Sequence, residues 1–229
     1  MSRQLLLDLR LPVRTALGRG DFFVAPSNAL ALAAIDGWTD WPGRRLLLTG
    51  PEGSGKTHLA HVWAGLSGAL VLAAADLAAA DPPVLVARGA IAVEDADRIA
   101  ADPAAERALF HLCNLAAAEG AALLLTARGP VPAWGLRLPD LESRVQAMAV
   151  ARLGPPDDAL LAAVLVKLFA DRQLAVAPAV IPWLVARIDR SLGAAAAAVA
   201  RLDAASLVGH RRITPHLAAE VLDSGESQA

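Results

Sequence analysis

Lys56 and Thr57 close the run Gly50-Pro51-Glu52-Gly53-Ser54-Gly55-Lys56-Thr57, which has the spacing GxxxxGK[ST]. That spacing suits the cradling of phosphate oxygens. The glycines let the backbone fold tightly, so that successive N–H groups converge on an anion. Lys56 places a point charge at the β- and γ-phosphates, and the Thr57 hydroxyl is a Mg²⁺ ligand. His58 opens a stretch, residues 58–65, that reads as a helix, and a helix N-terminus adds partial positive charge at the same place. Ahead of the loop, Arg45-Leu46-Leu47-Leu48-Thr49 reads as a short buried strand. Strand, loop and helix in that order predict a site for a nucleoside diphosphate or triphosphate.

Two further strand ends carry groups suited to phosphate chemistry. Ala90-Ile91-Ala92-Val93 reads as a strand closed by Glu94 and Asp95. Downstream of a phosphate loop, one such carboxylate holds Mg²⁺ through water and the next orients the attacking water. A third strand, residues 121–126, ends at Thr126-Ala127-Arg128, where a polar group would face the γ-phosphate. His58, His61, His111, His210 and His216 show no metal-ligand spacing with cysteines or acids, so Mg is the one metal expected.

The elements that must position these groups alternate. Strands are predicted at residues 45–49, 69–73, 90–93, 121–126 and 145–153, with helices between them, one of them at 104–119. This order predicts an α/β fold, a parallel sheet with helices on both faces. Gly154-Pro155-Pro156 breaks the pattern, because consecutive prolines neither continue a strand nor enter a helix interior. Beyond them only helices are predicted, over 157–174, 179–189, 192–208 and 214–222, with Thr214 as a cap and Pro178 and Pro215 at helix starts. The organisation expected is a leader over 1–20, a nucleotide-binding α/β domain over 21–154, a helical lid domain over 155–223 and a disordered tail over 224–229.

At 229 residues the chain has room for one such domain and a small appendage. Its net charge of −2 offers no global basic field for nucleic acid. Apolar residues make up 55% of the chain, but alanine inflates that share and no apolar run reaches the ~18 residues of a membrane span. The N-terminus has no secretory pattern, and the single cysteine, Cys113, reads as a buried small hydrophobe. A cytoplasmic location is expected.

This order of parts resembles the AAA+ ATPases, and more narrowly the family of the bacterial replication initiator DnaA. Asp21-Phe22-Phe23-Val24-Ala25-Pro26-Ser27-Asn28 looks like that family's opening motif, and Leu138-Pro139-Asp140-Leu141-Glu142-Ser143-Arg144-Val145 looks like its arginine-finger box. The chain ends after the lid, without a helix-turn-helix domain. In this, and in Gln4-Leu5-Leu6-Leu7-Asp8-Leu9, it is similar to the regulatory branch that inactivates the initiator. The resemblance implies that Gly50, Pro51, Glu52, Gly53, Ser54, Gly55, Lys56, Thr57 and His58 hold the phosphates, while Phe23, Val24 and Pro26 wall the adenine. It implies Mg²⁺ on Thr57 and, through water, on Glu94. Arg144 would act in trans at a neighbour's nucleotide, an effect of ~10³–10⁵ in rate for such fingers. Gln4, Leu5, Leu7 and Leu9 would dock on the DNA polymerase sliding clamp.

The partners implied are DnaA and the clamp; a homo-oligomer is compatible with the family, and neither sequence-specific DNA binding nor a membrane is expected. The sequence also departs from the family. Glu94 replaces the usual aspartate, Arg128 stands where an acidic sensor is usual, and Gly193 stands where a lid arginine normally reaches the nucleotide. Weak intrinsic hydrolysis is therefore expected. Two other classes fit a phosphate loop, a small-molecule kinase and a helicase-loader or clamp-loader ATPase. The first would need a clustered arginine lid, but Arg172, Arg187, Arg190 and Arg201 are scattered; the second would need salt-dependent DNA affinity.

Overall fold

Long apolar runs with a two-residue alternation of destination build the centre of the molecule. The computed structural model describes residues 23–209 and 211–223. The strands are β1 (Arg45–Thr49), β2 (Leu70–Ala73), β3 (Ala90–Glu94), β4 (Ala122–Ala127) and β5 (Ala149–Arg152). They pair in parallel, in the order β2-β3-β4-β1-β5. Such a sheet is covered on both faces, which is why β1 and β4 read as almost unbroken leucine runs.

Alternate residues of each strand join different cores. Leu46, Leu48, Ala92 and Leu124 face α1 (Ala29–Asp36) and α2 (Lys56–Ser67). Leu47, Ile91, Val93, Leu123 and Leu125 face α3 (Pro82–Val86), α4 (Pro103–Glu119) and α5 (Pro139–Gln146). On the first face Trp63 of α2 is fully buried, stacked on Trp41 with ring centres 5.1 Å apart. On the second, Cys113 of α4 is fully buried as expected, and burial pushes its thiol up to about 12. The helix ends carry their own signals. Asp102 caps α4 by accepting from the N–H groups of Ala104 and Ala105, and Gly120 ends it at φ 70°.

One strand is shorter than its sequence suggests. Of residues 145–153, Ala149–Arg152 pairs with β1, while Val145 belongs to the last turn of α5. Pro139 at the first turn starts that helix, and Leu141 and Val145, one turn apart, bury one apolar face against the α4 side.

After β5 come α6 (Asp158–Asp171), α7 (Val180–Val185), α8 (Leu192–Gly209) and α9 (Pro215–Asp223). They share a separate core that includes Leu161, Leu165, Phe169, Leu184, Val199 and Leu217. Asp157 caps α6 through the Leu160 N–H, and the Thr214 hydroxyl accepts from the Leu217 N–H at the start of α9. By length and composition α8 would be apolar enough to cross a membrane. Its apolarity is mostly alanine, however, and Ala195, Ala198, Val199 and Leu202 sit in the core of this helical bundle. The small side chains let α6 and α8 approach closely.

Candidate nucleotide-binding site

β1 ends inside the sheet, flanked by β4 and β5, so the loop after it emerges at the carboxyl edge between neighbouring strands. Ligands of open α/β sheets bind at such an edge. A cavity of about 470 Å³ lies there. Its floor is the phosphate loop, from Glu52 to His58, and Asp95, Arg98 and Arg128 stand on one side. Phe23 and Asn28 come from the segment before α1, while α6 and α8 supply Leu160, Val164, Leu168, Leu192 and Gly193. α6 also brings the charged Lys167 and Asp171 to the cavity, beside these apolar side chains.

The loop's shape depends on close approach. A Cβ on Gly50 would come within 2.7 Å of the Leu153 carbonyl oxygen, and Gly55 holds φ at 101°. The Ser54 hydroxyl is buried with no hydrogen-bond partner among the described residues. Lys56 is 7% exposed, and its ammonium donates to the carbonyls of Gly50 and Pro51, each at 2.8 Å. Burial lowers its pKa below the ordinary lysine value, while the charges of Asp95 and Asp97 work in the opposite direction. A buried cation held by its own loop is ready to exchange weak carbonyl partners for phosphate oxygens. This cradle fits a nucleotide polyphosphate.

Two backbone hydrogen bonds fix the acidic side of the cavity. The Asp95 N–H donates to the Thr126 hydroxyl at 3.0 Å, and the Arg128 N–H donates to Asp97 at 3.3 Å. Asp95 adopts φ 53°, a left-handed conformation uncommon for a residue with a Cβ. The turn brings Asp95 to the cavity wall, whereas Glu94 does not line it. One Glu94 carboxylate oxygen is buried and has no hydrogen-bond partner among the described residues. Asp95 and Thr57 both line the cavity and form a hard-donor pair suited to Mg²⁺, with Glu94 at the end of β3 next to Asp95.

In overall structure the chain is similar to domain III of the replication initiation protein DnaA from Thermotoga maritima. The TM-score is 0.80 at 18% identity, over 93% of this chain and 98% of that one. Residues 158–222 match the family described as the Hda lid domain. The chain thus has the fold of DnaA domain III, with a C-terminal segment that matches the Hda lid family. Similar folds include AMPPCP-bound DnaA from Aquifex aeolicus, with a TM-score of 0.69 at 16% identity over 88% of this chain and 68% of that one. RuvB from Thermotoga maritima gives 0.68 at 16% identity, over 93% and 72%.

The site residues expected from the sequence fall in three places. Glu52, Gly53, Ser54, Gly55, Lys56, Thr57, His58, Phe23 and Asp95 meet at the cavity, while Val24 and Pro26 are exposed outside it. Arg144 stands apart, exposed on α5 with its guanidinium 5.5 Å from the centre of the Phe110 ring. Glu142, two residues before it, accepts from the Gln146 amide at 2.9 Å. Gln4, Leu5, Leu7 and Leu9 lie outside the described residues, as do Asp21, Phe22 and the 224–229 tail.

Sequence reasoning missed two supporting residues. Asn28 is buried; its amide donates to the Phe23 carbonyl at 2.8 Å and accepts from the Ala25 N–H at 2.9 Å, pinning the segment that carries Phe23. Glu106 of α4 is 2% exposed, and its carboxylate accepts from the N–H groups of Arg137 and Leu138, just before α5. The Asp102-Pro103 cap and Glu106 at the next turn hinted at a helix start, but nothing local pointed to a partner 31 residues away.

Proposed function

We propose that this AAA+ protein binds ADP or ATP with Mg²⁺ and regulates the initiation of chromosomal replication. Together with the DNA polymerase sliding clamp, it stimulates ATP hydrolysis by the initiator DnaA. The reading is supported most by one conjunction: a phosphate cavity roofed by helices that match the Hda lid domain. In this reading the loop from Gly50 to His58 holds the phosphates, and Phe23 with the apolar α6 residues holds the base. Thr57 and Asp95 hold Mg²⁺, with Glu94 behind them. Mg²⁺ would neutralise charge on the β- and γ-phosphates.

Arg144 acts elsewhere. Exposed on α5, it is free to enter a neighbouring molecule's site, where its planar cation would meet the charge developing on the transferred phosphoryl group. Gln4, Leu5, Leu7 and Leu9 form the clamp-docking peptide, with an amide that donates and accepts and leucines that fill pockets. The protein works in the cytoplasm.

The test is reconstitution. The full chain with ADP and clamp should accelerate ATP hydrolysis by DnaA, and Gln4→Ala with Leu7→Ala should abolish clamp binding with little change in melting temperature. If that double variant instead lowers stability and leaves clamp binding untouched, the leucines pack on the domain and the docking peptide is wrong.

A further inference from the structure

β5 is an outer strand of the sheet, paired with β1 alone among the described residues. The Leu153 N–H, just past its end, donates to the Thr49 carbonyl at 2.8 Å and so points toward β1. Backbone direction alternates along a strand. The N–H and C=O groups of Val150 and Arg152 therefore point the other way, to the open edge. Side chains alternate too: Ala149 and Ala151 pack toward α1 and α2, while Val150 stands on the opposite face, in register with Leu47. There Val150 and Arg152 border a second cavity, of about 410 Å³, lined also by Leu47, Val145 and the loop from Gly129 to Pro132.

We propose that β5 and this cavity form a docking site for an extended acidic segment of a partner protein, which joins the sheet as a further strand. The main chain of that segment pairs with Val150 and Arg152. One of its apolar side chains enters the cavity, and a carboxylate two residues away meets Arg152. Nothing in this docking requires bound nucleotide.

The edge offers what a strand needs. Val150 is 48% exposed, although its register partner on β1, Leu47, is buried. Unpaired edge groups are a template for another strand. In such additions main-chain hydrogen bonds supply affinity, and pockets for alternate side chains supply specificity. Charge then selects the occupant. The residues lining the cavity include Arg128 and Arg152 and no carboxylate. Arg128 is already paired with Glu52, whereas the Arg152 guanidinium has no ion-pair or hydrogen-bond partner among the described residues. An acid opposite an arginine across a strand pair is favourable, and a like charge opposes pairing. The same rule disfavours two other occupants. The chain's own leader carries Arg3, Arg10, Arg14 and Arg19 against Asp8, the wrong sign for this rim. A second copy paired edge to edge would set two Arg152 side chains on one short ladder, with no acid in β5 to offset them.

The experiment uses a capped synthetic peptide, Ser-Thr-Glu-Thr-Val-Thr-Glu-Thr-Ser, whose symmetric core fits the edge in either direction, and its analogue with both glutamates replaced by lysine. Each is titrated into the full chain and into Arg152→Glu and Val150→Pro, with amide exchange read by NMR and melting curves to confirm folding. The proline removes only an outward N–H, so the β1–β5 ladder stays intact. The wild type should bind the acidic peptide about five-fold or more tightly than the lysine peptide, and Arg152→Glu should reverse that preference. Exchange of the Val150 and Arg152 N–H groups should slow with acidic peptide bound, while that of Ala151, already in the ladder, should not change. Val150→Pro should lose binding of the acidic peptide. Equal affinity for the two peptides, binding of neither, or a preference unchanged in Arg152→Glu would overturn the docking site. So would slow Val150 exchange in the wild type without peptide, because the edge would then already be covered by the leader or by a second copy.

Discussion

The Leu192 N–H, at the first turn of α8, donates to the Gly53 carbonyl in the phosphate loop at 2.7 Å. Beside it, a Cβ on Gly53 would sit 2.4 Å from the Ser191 Cβ. The lid therefore rests on the loop through backbone contact. Gly193 is next in the chain and lines the cavity with no side chain of its own.

Gly53→Ala tests that contact. Gly53 holds φ at 70°, and the added methyl meets Ser191, so strain and overlap act together. The substitution should cost about 2 kcal/mol or more. Hydrogen exchange should speed up at the start of α8 while β3 and β4 stay protected. Unchanged exchange in α8 would mean that the lid does not depend on this contact.

Lys56 gives a pH dependence. The ammonium is the form that binds phosphate, and burial lowers its pKa, so protonation is lost earlier than for a free lysine. ADP affinity should be level near neutrality and fall as pH rises through that lowered pKa, before the ordinary lysine value of about 10.4. Lys56→Ala should remove most of the rise in melting temperature that ADP produces by binding the native state. A saturating ADP concentration that leaves the wild-type melting curve unmoved would contradict the site itself.

Arg144→Ala should leave ADP binding unchanged and abolish stimulation of the initiator's ATPase. Arg144→Lys should restore little, because a point charge lacks the planar fork. Steady-state phosphate release with clamp and initiator present measures both, and full stimulation by the alanine variant would exclude a finger role.

Glu106 should prove structural. Glutamine there turns an amide N–H₂ toward the Arg137 and Leu138 donors, and a buried unsatisfied group costs about 1–3 kcal/mol. Denaturant unfolding should show that loss, and exchange should rise over residues 137–146, while ADP affinity is kept. A drop in ADP affinity equal to that of Lys56→Ala would place Glu106 in the site after all.

What the sequence determined by itself is the part whose physics is local. The phosphate loop is a contiguous run whose spacing is its mechanism, so Gly50 through Thr57 could be read with no fold in hand. Leucine and alanine runs bounded by turns placed the five strands, because a strand buried on both faces needs only apolar residues. The cap at Thr214 is equally local. The 145–153 stretch was misread at its start because Leu141 and Val145 follow a helical period that a run of mixed residues hid. What only the tertiary structure decided depends on contacts between distant segments. The left-handed turn at Asp95, tied to Thr126 of the next strand, puts Asp95 rather than Glu94 at the cavity. Glu52 met Arg128, Glu106 met the start of α5, and the lid met Gly53, across separations that no periodicity encodes. Such pairings are set by how the sheet orders its strands and where the lid folds back, and packing fixes both only when the whole chain closes.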